Sequence, residues 1–316
     1  MRFALLLLSL LAVAGCTTRL IYRIHNTDPA GARIFTQDID HFWQAFDSLD
    51  SPRFVHYLEE WYLADGSPGL RAFDRNRIEG ADKLAATVRA SADYYRFIRP
   101  YTYRVQEYEP AIREIFQRLA NLYDDARFPD VYFLIGRLTS GGTLTNTGLL
   151  IGTEMHSAAP GAPKENLNGW LQTVLASPER IPTIVAHELI HYQQKYPLQL
   201  KRSLLSMAIN EGAADFVGEK LCGATINDHI HAYGDEHEAE LWAAFSSEMY
   251  DTETGDWLYN GQPANGQPAD MGYYIGYRIC EAYFEQQDEP RAAIKDILEI
   301  HDFEDFLRES GYGQQF

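Results

Sequence analysis

The chain has 316 residues, 46% of them hydrophobic and 13% aromatic, with a formal net charge of −18 at neutral pH. That is enough apolar material for one large core or two close lobes, which excludes a disordered chain. The acidic balance excludes nucleic acid as a partner and excludes an electrostatic hold on anionic lipid.

Met1-Arg2-Phe3 and the apolar run over 4–14 have the charged start and short hydrophobic core of a secretory signal, too short to span a membrane as a stable helix. Val13-Ala14-Gly15-Cys16 resembles a bacterial lipobox. The resemblance implies cleavage before Cys16 and lipid attachment to it. Thr17 is not the Asp that often retains lipoproteins at the inner membrane, so the expected location is the cell envelope, lipid-anchored at the outer membrane and facing the periplasm or exterior. The expected organisation is a signal peptide over 1–15, a lipidated cysteine and tether over 16–36, and one body over 37–316. That body divides into a front lobe over about 37–176 and a metal-bearing lobe over about 177–316.

Apolar spacing predicts helices over 37–49, 53–63, 82–95 and 110–125. The β-branched and aromatic run over 131–136, bounded by Pro129-Asp130 and Gly136, predicts a strand, and Leu149-Leu150-Ile151 another. Between them, 139–148 reads as a Gly/Thr/Ser-rich loop: either an ordinary hairpin turn or, in a zincin-like fold, an edge that pairs with extended substrate. Residues 158–163 form a Pro/Gly/Ala loop between the lobes. A helix over 183–195 follows, with Ser177, Pro178 and Pro182 at its start and Tyr196-Pro197 at its stop. The next helix spans 203–222 and ends at Gly223. Further helices are predicted over 238–249 and 270–286, the last with Gly272 and Gly276 as a smooth stripe for close packing. The fold class is therefore α+β, predominantly helical, with a small sheet.

The 183–195 helix carries His187-Glu188-Leu189-Ile190-His191. Residues four apart on a helix share a face about 6 Å apart along the axis, so the imidazoles of His187 and His191 can share one zinc ion. On the following helix Glu211 supplies a third ligand, and Asp215, one turn on, can accept from the outer nitrogen of a ligating histidine and fix its tautomer. Glu188 faces the same pocket as a general base. The expected cofactor is one Zn2+ per chain.

This pattern resembles the gluzincin zinc peptidases. The resemblance gives His187, His191 and Glu211 the role of zinc ligands, Glu188 that of general base and Asp215 that of a support to the ligands. It implies a zincin-like sheet beside the motif helix and a peptide or protein substrate. Ile39-Asp40-His41-Phe42-Trp43, Phe128-Pro129-Asp130-Val131-Tyr132-Phe133, Gly136 with Ser140-Gly141-Gly142-Thr143, Trp257-Leu258-Tyr259-Asn260 and Gly272-Tyr273-Tyr274-Ile275-Gly276-Tyr277 look like a bacterial family predicted to be zinc-dependent proteases and related to the gliding-motility lipoprotein GldB.

Gluzincins often stabilise the oxyanion with a Tyr or His outside the zinc motif; Tyr273 is the first choice here, before Tyr277, His237 and Tyr274. Arg278 reads as a surface ion pair rather than a carboxylate binder, and His229 and His231 as loop residues rather than a second metal site. Cys222 and Cys280 form either one disulfide or two buried thiols. Two functions follow: zinc-dependent peptide hydrolysis by an envelope lipoprotein, or a peptidase-like lipoprotein that serves as a binding component of a gliding or secretion apparatus, with envelope protein partners.

Overall fold

A computed structural model describes residues 26–316 except 198, 199, 201, 262, 264 and 265. The signal segment over 1–15 and the lipidation residue Cys16 lie outside the described residues. No helix among the described residues is long and apolar enough to cross a membrane.

The front half is helical, from α1 (Gln37–Phe46) and α2 (Phe54–Tyr57) through α3 (Pro68–Phe73), α4 (Ala81–Ala90), α5 (Ala92–Thr102) and α6 (Glu109–Leu122). The chain widens into a π-helical stretch, Leu58–Ala64, after α2 and into another, Asp74–Ile78, after α3. Phe42 of α1 packs edge-on against Trp43 and Tyr62, while Trp43 Nε1 donates to Thr102 Oγ1 at 2.9 Å, so the indole is buried with its one donor satisfied. The helix expected over 82–95 is two: the chain breaks at Ser91, whose φ and ψ of −119° and 29° lie outside the helical region. Periodicity runs across the break because both pieces bury their apolar faces in the same core.

Four strands form one mixed sheet in the order β1-β2-β4-β3, where β1 is Ile34–Phe35, β2 Val131–Leu134, β3 Gly142–Thr145 and β4 Gly148–Gly152. β1 and β4 run parallel to β2, and β3 pairs antiparallel with β4 through Gly142 opposite Ile151 and Leu144 opposite Leu149. The central strands β2 and β4 are buried on both faces and read as continuous apolar runs, whereas the edge strand β3 is half-buried. Two sequence expectations change here. The stretch 139–148 is not wholly loop, since it contains β3. Part of the segment read as a tether is built into the body: Ile34 and Phe35 pair with β2, and Asn26 Nδ2 donates to the Phe128 carbonyl at 3.0 Å.

The back half contains α7 (Gly169–Val174), α8 (Ile181–Gln193), α9 (Leu204–Cys222), α10 (Asp228–Glu248), α11 (Met271–Glu285), α12 (Pro290–Leu298) and α13 (Phe303–Ser310). α8 has Pro182 in its first turn. α9 opens on a capping box in which Ser203 and Ser206 satisfy each other's backbone N–H, and closes on Gly223 at φ 75°. α10 extends ten residues earlier than the expected 238 start, with a kink at His237. Both α8 and α9 are buried nearly all round, which places polar side chains on them inside the molecule. One continuous apolar cluster links both halves.

α9 and α11 touch backbone to backbone. A Cβ on Gly276 would lie 1.8 Å from the Ala208 carbonyl oxygen, and one on Gly212 would lie 2.0 Å from the carbonyl carbon of Gly276. Gly276 therefore lets α11 approach α9 as expected, and this contact sets where Tyr273 stands relative to Glu211.

Candidate metal centre

His187 and His191 lie one turn apart on α8 with their rings perpendicular and 4.6 Å between centroids. Both outer nitrogens face acceptors. His187 Nδ1 donates to Asp215 Oδ1 at 2.7 Å, and Asp215 Oδ2 in turn accepts from Asn227 Nδ2 at 2.7 Å. His191 Nδ1 donates to Gln194 Oε1 at 2.9 Å; the Gln194 amide orientation follows from Nε2 donating to the Asn210 carbonyl at 2.7 Å. With the Nδ1 protons directed outward, each neutral ring turns its Nε2 lone pair inward.

Glu211 on α9 completes the centre. Its Oε2 lies 3.2 Å from His191 Nε2 and 3.6 Å from His187 Nε2, while the two Nε2 atoms are 3.0 Å apart. Three electron-pair donors converging this closely repel one another unless a cation sits among them. Tetrahedral zinc with bonds of about 2.0–2.1 Å sets its ligand atoms about 3.3–3.4 Å apart, so the three separations fit that ion. These three residues are the described group whose donor atoms come within range of a shared metal.

The same clash of charges appears in the acid–base properties of the site. Burial disfavours charge on His187 and His191, yet Asp215 and Glu211 around the first and Glu211 beside the second outweigh it and raise both imidazoles above the ordinary histidine value. Glu211 is likewise opposed by burial, but the two imidazoles hold it well below the usual carboxylate range. A cation in place of the shared proton satisfies the same three groups. Glu188 differs: burial raises its pKa, with the imidazoles pulling the other way. Its carboxylate lies against the edge strand, where a Cβ on Gly142 would stand 2.3 Å from Oε1.

His187, Glu188, His191 and Glu211 line one open cleft of about 560 Å³ that Gly142, Thr143 and Leu144 of β3 border on one side. Tyr273 lines it too. Its ring lies 6.5 Å from that of His187 and nearly parallel to it, and its hydroxyl has no hydrogen-bond acceptor among the described residues. Burial and the charge on Glu211 raise the Tyr273 phenol well above its usual value, so it keeps its proton. The other oxyanion choices are engaged elsewhere: Tyr277 OH donates to Glu219 at 2.9 Å, Tyr274 OH to Asp235 at 3.0 Å, and His237 Nδ1 to the Tyr233 carbonyl at 2.9 Å. Arg278 pairs with Glu238 and Glu281. His231 packs edge-on against Tyr274 and Tyr277, away from the cleft. Cys222 and Cys280 are free thiols, the second fully buried.

Sequence reasoning missed four residues of this site. Tyr259 OH donates to Glu211 Oε1 at 2.6 Å, Gln194 and Asn227 hold the histidine–carboxylate chain, and Arg77 lines the cleft beside β3. Gln194 is three residues past His191, a spacing that signals a helix-end contact; Tyr259, Asn227 and Arg77 reach the site only through the fold.

A family model described as gliding motility protein GldB matches residues 81–314, a span that includes α8, α9 and α11. No curated protein and no solved structure matches the chain.

Proposed function

The chain belongs to the family of the gliding motility protein GldB, and from that premise we propose that it is a lipid-anchored envelope protein whose zincin-like cleft hydrolyses peptide bonds with one zinc ion. The observation that carries the hydrolytic part is the convergence of His187 Nε2, His191 Nε2 and Glu211 Oε2 in a cleft that also holds Glu188. A zinc ion bound there would supply Lewis acidity toward a carbonyl and bring a water within reach of deprotonation near neutral pH. The chain's own residues do the rest. Glu188 takes the proton of the attacking water on its carboxylate and hands it to the departing amine; burial raises its proton affinity for that double duty. Tyr273 donates its hydroxyl proton in a hydrogen bond to the oxyanion. Asp215 and Gln194 hold the imidazoles in the required tautomer. β3 is the last strand of the sheet and borders the cleft, so its unpaired side would be the place for an extended peptide.

The family's description names motility and no reaction, which favours a second reading: a binding component of a gliding or secretion apparatus that keeps the metal site for structure. Glu188 discriminates between them, because a carboxylate that is not among the metal-holding residues has no task in a purely structural site. The test is metal content and cleavage of peptide mixtures by the full chain and by Glu188→Gln. One zinc per chain in both, with cleavage only in the parent, supports hydrolysis; a cellular phenotype unchanged in Glu188→Gln supports the binding role.

A further inference from the structure

Arg77 enters the cleft from the π-helical turn Asp74–Ile78. Its position is fixed from the backbone: the Arg77 carbonyl accepts from Arg137 Nε at 2.9 Å. Glu79 and Gly80, at φ 63° and 96°, then turn the chain away. The side chain is half-buried, and Nε donates to Thr143 Oγ1 at 2.9 Å, which ties the guanidinium to β3. That bond uses one of its five N–H donors. The four on the terminal nitrogens make no hydrogen bond or close ion pair among the described residues; the nearest charge they act on is Glu188, across the same cleft. Arg137, Arg104 and Arg180, by contrast, are spent on carboxylates of the chain itself: Arg137 pairs with Glu79, Arg104 with Glu107 and Glu179, and Arg180 with Asp228.

A guanidinium anchored at Nε with both ends open presents a planar fork that suits a carboxylate in a bidentate pair. Its location narrows which carboxylate. Glu188 lies against Gly142, and Arg77 is bound to Thr143, the next residue, about 3.3 Å further along the strand. Arg77 therefore neighbours the group that delivers a proton to the departing amine. Resting on the hydrolytic reading above, we infer that Arg77 is a specificity-determining residue that holds a carboxylate on the leaving-amine side of the peptide, supplied by the peptide's C-terminus or by an Asp or Glu side chain there.

The test uses full-length, zinc-loaded Glu188→Gln protein in detergent. It is presented with randomised hexapeptide mixtures prepared as free acids or C-terminal amides, each with or without Asp and Glu, and the captured peptides are identified by mass spectrometry. Carboxylate-bearing peptides are expected to be captured about tenfold better than amidated, acid-free ones. Adding Arg77→Ala removes that preference at unchanged thermal stability, and Arg77→Lys keeps part of it. Preference among amides that contain Asp or Glu assigns the side chain as the source; preference among acid-free free acids assigns the C-terminus. Capture without carboxylate preference, preference that survives Arg77→Ala, or no capture at all overturns the assignment. Cleavage of the amidated, acid-free mixture by the wild-type chain reports separately on hydrolysis: Arg77-dependent capture with no cleavage of any mixture would sink the hydrolytic reading and keep the carboxylate site.

Discussion

Tyr259, more than half exposed, donates its hydroxyl to Glu211 Oε1 at 2.6 Å while Glu211 Oε2 faces the two imidazoles. One carboxylate is thus held from opposite ends, by a loop residue at φ 58° on one side and by α8 on the other. Removing the hydroxyl leaves Oε1 with only a long contact to Asn210 at 3.4 Å and frees the carboxylate to rotate. Tyr259→Phe is expected to weaken zinc about tenfold in a chelator competition, while Glu211→Ala loses it. Equal zinc affinity in Tyr259→Phe and wild type would show that α9 alone positions the ligand.

On the zinc reading, Asp215 would act on the ion through His187. Its carboxylate accepts the Nδ1 proton at 2.7 Å and is itself steadied by Asn227. Asp215→Ala removes the acceptor that selects the tautomer with Nε2 free. Zinc affinity is expected to fall about 10–100-fold. Asn227→Ala should move it in the same direction by less; isothermal titration of both variants would expose an independent Asn227 by a loss as large as that of Asp215→Ala.

Two glycines near the cleft are predicted to fail in different ways. At Gly276 an added Cβ meets the Ala208 carbonyl at 1.8 Å, so α9 and α11 must separate, and Gly276→Ala is expected to cost about 3 kcal/mol or prevent folding. At Gly142 the nearest atom is the far end of the Glu188 side chain at 2.3 Å, which can rotate away. If the proposed hydrolysis holds, Gly142→Ala should keep zinc and nearly all of its stability while losing cleavage, because Glu188 is displaced from its proposed proton-transfer position. Urea titrations with metal analysis test the pair, and a Gly276→Ala protein as stable as wild type would contradict the close approach.

The motif helices were legible because their punctuation is local: Pro182 at one start, Ser203 at the other and Gly223 at a stop act within a few residues. The sheet was legible only in its buried strands. β3 reads Gly-Thr-Leu-Thr, with one apolar residue in four, and becomes a strand only because β4 offers it a partner. α12 and α13 have no counterpart among the sequence expectations, although Asp302 caps α13 by accepting from the backbone of Glu304 and Asp305. In the site, the residues on α8 and α9 could be assigned by helical spacing. Tyr259 and Arg77 could not, since each is brought to the candidate metal centre by long-range folding and carries no local signal.

Glu154 links stability to pH. It is fully buried behind the sheet, where its Oε1 accepts from the Leu138 N–H at 3.3 Å and its Oε2 has no partner, and burial raises its pKa to about 7. An unfolded glutamate titrates near 4.5, so the folded state holds a proton that the unfolded state has already released between those values. The stability associated with protonated Glu154 is complete below about pH 4.5 and is lost as pH rises to about 7, by an amount on the order of 3 kcal/mol. His156 has the opposite slope: burial lowers its pKa to about 4, so stability from the neutral ring is present above about pH 6.5 and falls as pH drops toward 4. Glu154→Gln keeps the shape and removes the first dependence only. Between pH 5 and pH 8 the wild-type chain should lose urea stability relative to Glu154→Gln, which should be the more stable of the two at pH 8. Parallel stability–pH curves for the two proteins would mean that Glu154 titrates alike in the folded and unfolded chain, against a burial-raised pKa.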